Sequence, residues 1–248
     1  MDVLETTNDI LSADIDVRSS ITATLVRHSA TDLDVVRAAR VSTASELANE
    51  ENLDDAYASG LIEYLMKSRH GSPFEHNYMT FLVTAPIFAV RHLMRHRTWS
   101  FNEESARYRK IRPIFYLPDD ERDLRQVGKP GHYQYVPGND GDHGYLRDIA
   151  VSAYASAFDN YSKLLERGIA KELARIVLPV ATYSTVYATC NARGLMHFLG
   201  LRTSRANATY ASAPQREIEE VADQMEAQWA QLMPLTAAAF EKFGRVSP

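Results

Sequence analysis

Apolar and polar positions alternate along Ser20–Arg27, where Ile21, Thr22, Thr24 and Val26 are β-branched, and this period of two predicts a strand. The period then lengthens. Asp32–Val41 reads as a helix that Thr31 or Asp32 can cap. Asp54–Arg69 reads as a second helix, with Ala58, Leu61, Ile62 and Leu65 at helical spacing and Gly71-Ser72-Pro73 stopping it. Tyr78–Thr84 predicts a strand. Pro86 suits a first helical turn, so a helix is predicted over Pro86–Trp99 with Ile87, Val90 and Met94 on its buried face. Arg112–Gly144, rich in Pro, Gly, Asp and Tyr, predicts an irregular excursion, a functional or poorly ordered loop more than a linker. The second half is mainly helical. Tyr145–Arg167 carries apolar residues at Ile149, Ala153, Ala157, Leu164 and Leu165. A short helix follows over Lys171–Val177, ended by Pro179, then a strand over Tyr183–Thr189. Helices over Ala192–Leu201 and Pro214–Phe243 complete the chain.

These elements sum to one α+β domain over residues 1–248, with a small mixed or antiparallel sheet and long helices. The regular strand-helix alternation of a doubly wound sheet is missing. At 248 residues and 45% hydrophobic content, the chain can bury a substantial core. Its net charge of -5 argues against general affinity for nucleic acid or membranes. The longest apolar run, Phe81–Val90, is too short to span a bilayer and leads into arginines. Met1–Ser20 is acidic and lacks the apolar centre of a secretory signal. The single cysteine, Cys190, excludes a disulfide within the chain and a multi-cysteine zinc site, and suits a reducing cytoplasm. Its neighbours look like the end of a half-buried strand, so a structural thiol is the better reading than a nucleophile.

Charge is distributed unevenly. Between Arg91 and Arg112 there are seven Lys/Arg and two Glu, a basic stretch inside an acidic protein. Arg91 and Arg95 are four apart, as are His92 and His96, so each pair would share a helix face. Ser100–Tyr108 mixes hydroxyls, an amide, two carboxylates and an arginine, which suits a loop that holds a polar anion. Arginine's planar fork of donors matches phosphate oxygens in pairs, and backbone N–H groups around Ser105 could complete a cradle. Packed arginines repel one another, and a nucleotide phosphate or flavin pyrophosphate would relieve that strain. Plainer readings exist. Arginine-rich helix ends are often solvated faces. His92 and His96 could suggest zinc, but Leu93 stands where a zinc protease has its glutamate and no third ligand is evident. Arginines interleaved with Trp99, Phe101 and Tyr108 could instead contact single-stranded nucleic acid.

Arg95-His96-Arg97, followed after seven residues by Ser105-Ala106-Arg107-Tyr108, resembles the signature of the flavin-dependent thymidylate synthases. Three further blocks resemble that family in the same order: His70-Gly71-Ser72-Pro73-Phe74-Glu75-His76, Ala174–Pro179, and Asn191–Arg202. The similarity runs from about His70 into the final helix. No G-x-G-x-x-G follows a strand and no P-loop motif occurs, and the family binds FAD without either, in grooves between subunits. The resemblance implies a cytoplasmic homotetramer with shared sites that methylates dUMP. FAD would be its cofactor, NADPH and methylenetetrahydrofolate its co-substrates, and it would need no metal, nucleic acid, membrane or cysteine nucleophile.

By the same resemblance, Ser72, Arg95, His96, Arg97, Glu103, Asn191, Arg193 and His197 touch FAD. His92, Leu93, Met94, Arg95, Glu103, Glu104, Ser105, Ala106, Arg107, Arg175 and Arg202 line the dUMP site. Several have simpler roles open to them: Ser72-Pro73 as a turn, Asn191 as a helix cap, His197 as a core histidine, Arg175 as an ion-pair partner. Arg202 is expected to be catalytic. Carbon 5 of uracil becomes a better nucleophile as negative charge builds on the N3/O4 edge, and a fixed guanidinium stabilises that charge. Its permanent charge makes it a poor base. Ser105 has no evident neighbouring base and reads as a binding hydroxyl. Two departures stand out. Thr203–Pro214 is longer than the family usually has before its Gln-x-Glu-Ile element, here Gln215–Ile218, and His92 and His197 replace common amides.

Overall fold

The computed structural model describes residues 15–42, 54–129 and 132–248. In chain order the elements are β1 (Asp16–Arg18), β2 (Thr22–Ser29), α1 (Asp32–Arg40), α2 (Asp55–Lys67), β3 (Tyr78–Pro86), α3 (Ile87–Leu93), β4 (Ser100–Glu103), β5 (Ile114–Tyr116), β6 (Arg125–Lys129) and β7 (His132–Val136). They continue with α4 (Asp142–Glu166), α5 (Lys171–Ala174), β8 (Tyr183–Cys190), α6 (Ala192–Arg202), α7 (Arg216–Leu232) and α8 (Pro234–Lys242). The chain divides into two compact units, each entered more than once. Most of the acidic start, including residues 1–14, lies outside the described residues.

The larger unit comprises Ile21–Ala85, Ala89–Glu103 and Thr185–Pro248. Its sheet has the order β2-β3-β8-β4. β2 and β3 are antiparallel, from Thr22 opposite Thr84 to Ser29 opposite Tyr78, and β4 is antiparallel to β8. Thr80 meets Thr189 at 2.9 Å and Thr84 meets Thr185 at 3.3 Å, so β3 and β8 also run in opposite directions. An exposed strand edge invites unwanted pairing, and α7 covers that of β2. Gln224 accepts from Ala23 N (2.8 Å) and donates to Ile21 O (2.9 Å), while Gln228 accepts from Leu25 N (2.6 Å) and donates to Ala23 O (2.7 Å). Both glutamines complete the ladder from one helix face.

α1 starts on a capping box between Thr31 and Asp34. Asp32, the other candidate cap, serves a different helix. Its buried carboxylate accepts from Leu235 N (2.9 Å), Thr236 N (2.9 Å) and Thr236 Oγ1 (2.6 Å), satisfying the orphan donors that open α8. The final helix expected over Pro214–Phe243 is therefore two helices. Pro234 has no N–H to continue α7, and Met233 (φ -132°, ψ 62°) turns the chain. Trp229, fully buried on α7, lies 6.0 Å from the Phe240 ring on α8.

The helix expected over Pro86–Trp99 is also shorter. Pro86 closes β3, and α3 ends at Leu93. Beyond it the backbone tightens into turns, with His96 N donating to Leu93 O (3.1 Å) and Trp99 N to His96 O (3.2 Å). Leu93, His96 and Trp99 are buried three residues apart, the repeat of these three-residue turns. His92 and His96 thus do not share a helix face.

Among the described residues, the smaller unit comprises 15–20, Pro86–Phe88 and 104–184. β1 and β5 form a parallel pair, Asp16 opposite Ile114. The expected excursion holds β5 and an antiparallel β6–β7 hairpin, with residues 130 and 131 outside the described residues. β6 is exposed throughout, so it carries no apolar alternation to predict it. α4 buries Ala155 and Tyr161, not the expected stripe; Ile149 is 56% exposed. The helix packs through aromatic residues instead. Tyr154 stacks on Phe115 at 5.0 Å, Phe158 meets Phe115 edge-on at 6.4 Å, and Tyr161 O–H accepts from Ile111 N (3.0 Å).

Candidate active site

The larger unit gathers most of the motif residues around the two ends of α6. At its start, Asn191 Oδ1 accepts from Gly194 N (2.8 Å), and Asn77 Oδ1 accepts from Ala192 N (2.8 Å). Asn191 is therefore a helix cap, whatever else it contacts. Beside it opens a cavity of about 400 Å³ lined by Glu75, Thr98, Asn191, Arg193, His197 and Ser247, among others. Arg193, one of the lining residues, is paired with Glu75 (2.5 Å) and donates through Nε to Pro248 O (2.7 Å). Gly71 leaves room for that contact, since a Cβ there would stand 2.5 Å from Arg193 Nε and 2.7 Å from Pro248 O. Gly194 similarly leaves room for Trp99, whose buried Nε1 has no hydrogen-bond partner among the described residues. Ser72 is exposed in a short 3-10 turn, Ser72–Glu75.

The other end of α6 meets the arginine motif. Arg202, the last helical residue, donates from Nε to His96 Nε2 at 3.3 Å. Burial first, and then the Arg95 charge, push the Arg202 guanidinium below its usual range. His92 is held below its ordinary value by burial and then by Arg202, with Arg91 and Arg95 adding to the effect and Glu217 opposing it. His96 is pushed down to about 4 by burial, then by Arg202 and His197. Arg91, Arg95 and Arg97 are exposed and make no ion pair among the described residues. Like charges thus crowd one patch, and neither Arg95 nor Arg202 makes an ion pair with a carboxylate among the described residues. Met94 is half-buried there, whereas the Leu93 side chain is fully buried and leaves only its backbone for a ligand. Glu103 closes β4, opposite Val186.

Glu104, Ser105, Ala106, Arg107 and Arg175 belong to the smaller unit. There Ser105 Oγ accepts from Arg107 N (3.2 Å), and Ser105 O accepts from Tyr108 N (3.1 Å) and Arg109 N (3.2 Å), forming a tight turn. Arg107 pairs with Glu172 (2.8 Å) and Arg109 with Glu104 (3.1 Å). Arg175 is exposed in the turn that follows α5. No base hydrogen-bonds to Ser105 among the described residues, where its Oγ accepts only from Arg107 N.

Two site neighbours escaped the sequence reading. Glu75 lay within a quoted motif, but nothing marked it as the partner of Arg193, 118 residues away. Glu172 pairs with Arg107 across 65 residues. Among the described residues no cluster of three or more His, Cys, Asp or Glu could hold a metal ion, and no helix is long and apolar enough to cross a membrane. Cys190 is buried, and burial pushes its thiol far up, so it is not a thiolate at neutral pH.

The chain is 55% identical over 236 residues to a flavin-dependent thymidylate synthase of Streptomyces coelicolor, covering 94% of this chain and 96% of that protein. The profile of the family described as thymidylate synthase complementing protein matches residues 24–235. The chain belongs to the flavin-dependent thymidylate synthases. A second member of this family, from Tropheryma whipplei, is 52% identical over 230 residues, 93% of this chain and 96% of that protein. Among solved structures, a UMP/dUMP methylase from Streptomyces cacaoi bound with 5-Br dUMP superposes with a TM-score of 0.90 at 65% identity, covering 94% of this chain and all of that one. The same methylase bound with 5-Br UMP gives 0.88 and 63%. The motif blocks around Arg95 and Arg202 lie inside the matched family region.

Proposed function

We propose that this protein converts dUMP to dTMP, with methylenetetrahydrofolate as carbon donor and NADPH as the source of reducing equivalents. The observation that carries this reading is the state of Arg202. Its guanidinium is hydrogen-bonded to a neutral ring and not to a carboxylate, beside Arg95 and His92, which leaves it free to bind an anionic ligand. A nucleoside monophosphate supplies it twice, through its phosphate and through the charge that develops on uracil N3/O4. Arg202 stabilises that developing charge and so raises the nucleophilicity of C5. His92–Arg95, Glu103–Arg107 and Arg175 are assigned to the nucleotide, Arg95 through its planar fork.

The cavity beside α6 suits part of a flavin. It presents a guanidinium, an amide, a hydroxyl and an imidazole around a volume within the range of cofactor pockets. Ser72, Arg95, His96, Arg97, Glu103, Asn191, Arg193 and His197 are assigned to FAD, which when bound supplies the hydride that completes the methyl group. We assign the whole chain to one catalytic domain acting in the cytoplasm. We also infer a homotetramer with shared sites. Tyr145 and Ile149 of α4, with Leu173, Ile176 and Val180, leave apolar surface exposed in the smaller unit that assembly would cover.

A second reading concerns the acceptor. Identity to the Streptomyces cacaoi UMP/dUMP methylase (65%) exceeds that to the Streptomyces coelicolor synthase (55%), which favours acceptance of UMP alongside dUMP. Both readings meet one experiment: NADPH oxidation by the FAD-loaded protein with methylenetetrahydrofolate and either nucleotide. Stimulation by dUMP alone supports the first reading, stimulation by both supports the second, and stimulation by neither overturns both.

A further inference from the structure

An arginine that stabilises charge on a flat ring has to be held in one plane, and a side chain with four rotatable bonds does not hold itself. Among the described residues Arg202 makes one hydrogen bond, from Nε to His96 Nε2 at 3.3 Å. His96 is fixed on every side. It sits in the turn where its N–H binds Leu93 O and its carbonyl binds Trp99 N. The residue is 5% exposed, and its ring lies edge-on to Phe198 at 4.9 Å, with Trp99 at 6.3 Å and His197 at 6.0 Å. To accept from Arg202, Nε2 must be unprotonated, which places the ring proton on Nδ1.

We propose that His96 is the positioning residue of the reaction: it takes up the Nε–H of Arg202 and leaves the end-on pair of terminal N–H groups aimed at the pyrimidine. The inference rests on the role given to Arg202 above and goes beyond the assignment of His96 to the flavin. The choice of side chain has a physical reason. A carboxylate would hold the guanidinium equally well but would neutralise it and compete with the substrate for its donors. A neutral imidazole fixes direction and leaves the charge intact. Burial, then the charges of Arg202 and His197, keep the ring neutral, with its value pushed down to about 4. Protonation would end the contact, since two donors would then face each other.

The test compares His96→Phe, which keeps a flat ring and removes the acceptor, with His96→Gln, whose amide oxygen accepts without titrating. Each is measured as FAD-loaded protein for kcat, for KM of dUMP and for flavin affinity. Misplacing a catalytic group by about 1 Å can cost roughly 100-fold, so His96→Phe, assayed at saturating FAD, is expected to lose kcat on that scale whatever it loses in flavin affinity. His96→Gln is expected to recover at least a tenth of wild-type kcat. The inference is overturned if His96→Phe keeps kcat within twofold, if flavin affinity alone falls, or if a folded His96→Gln recovers nothing. His96→Gln alone decides the matter where His96→Phe does not fold. Arg202→Lys separates this inference from the reading beneath it. If that variant turns over normally, the role of Arg202 fails. If it is inactive while His96→Phe is active, only the role of His96 fails.

Discussion

Arg245→Ala removes a buried cation that ties the C-terminal segment to the helix carrying Arg202. The Arg245 side chain is 2% exposed. Its two terminal nitrogens grip Glu226 as a fork (2.7 and 2.9 Å), and they also reach Glu241 (2.5 Å) and Thr203 Oγ1 (3.0 Å), the residue after Arg202. Thr203 Oγ1 in turn donates to Leu199 O (2.7 Å), closing the end of α6. Truncating one partner of a buried ion pair costs about 3–5 kcal/mol, because the other charge is left without compensation. Glu241 is half exposed and recovers water, so its share falls to about 1 kcal/mol or less and the total sits near the lower bound, about 3 kcal/mol. The backbone contributes separately. Arg245 has φ 58°, in the left-handed region, a cost that alanine keeps and glycine relieves. Arg245→Gly should therefore be at least as stable as Arg245→Ala, although it removes more side chain. Urea unfolding followed by circular dichroism, at one fixed protein concentration, measures both. For a chain of this size, about 3 kcal/mol corresponds to a fall in Tm of roughly 6–12 °C. An alanine variant within 1 kcal/mol of wild type, at unchanged m-value, would refute the reasoning.

Asp32→Ala strips three hydrogen bonds from the start of α8 and should cost about 2 kcal/mol or more by thermal unfolding, with Asp32→Asn intermediate; an unchanged Tm in both would contradict the cap. Stability should also fall on mild acidification. His96 takes its proton near 6.5 when unfolded and at about 4 when folded, so the unfolded chain binds protons first and stability drops as pH falls through that window, by up to about 3 kcal/mol. His92, shifted in the same direction, adds to the slope. Comparing wild type with His96→Gln across pH 4 to 6.5 checks this, and identical pH profiles would contradict it. Gly71→Ala would drive a Cβ into Arg193 and Pro248 O, and should weaken FAD binding roughly tenfold, about 1.4 kcal/mol. A flavin fluorescence titration with unchanged affinity would remove the flavin from that cavity.

What the sequence revealed and what it concealed follow from the range of the interactions involved. The elements around β2, α1, α2, β3 and α6 were legible because apolar period and local caps such as Thr31, Asp54 and Asn191 act over a few residues. The break at Pro234 was visible in composition, but helical spacing on both sides of it masked the two-helix answer. β6 carried no signal because no face of it is buried. The packing face of α4, Tyr154, Phe158 and Tyr161, does follow helical spacing, but an aliphatic stripe of the same period stands beside it. The arginine motif was legible as a charge anomaly in an acidic chain. Its geometry was not, since the bond from Arg202 to His96 joins residues 106 apart and depends on a turn where a helix was expected. The pairs Arg193–Glu75 and Arg107–Glu172 were hidden for the same reason.

The most direct test is the formation of dTMP from dUMP by purified protein supplied with methylenetetrahydrofolate and NADPH, with and without FAD, in wild type, Arg202→Lys and Cys190→Ala. The account predicts FAD-dependent dTMP in wild type and Cys190→Ala. It predicts loss of most turnover in Arg202→Lys, with nucleotide binding at least partly retained. Turnover that ignores FAD, that survives in Arg202→Lys, or that vanishes with a folded Cys190→Ala would contradict it.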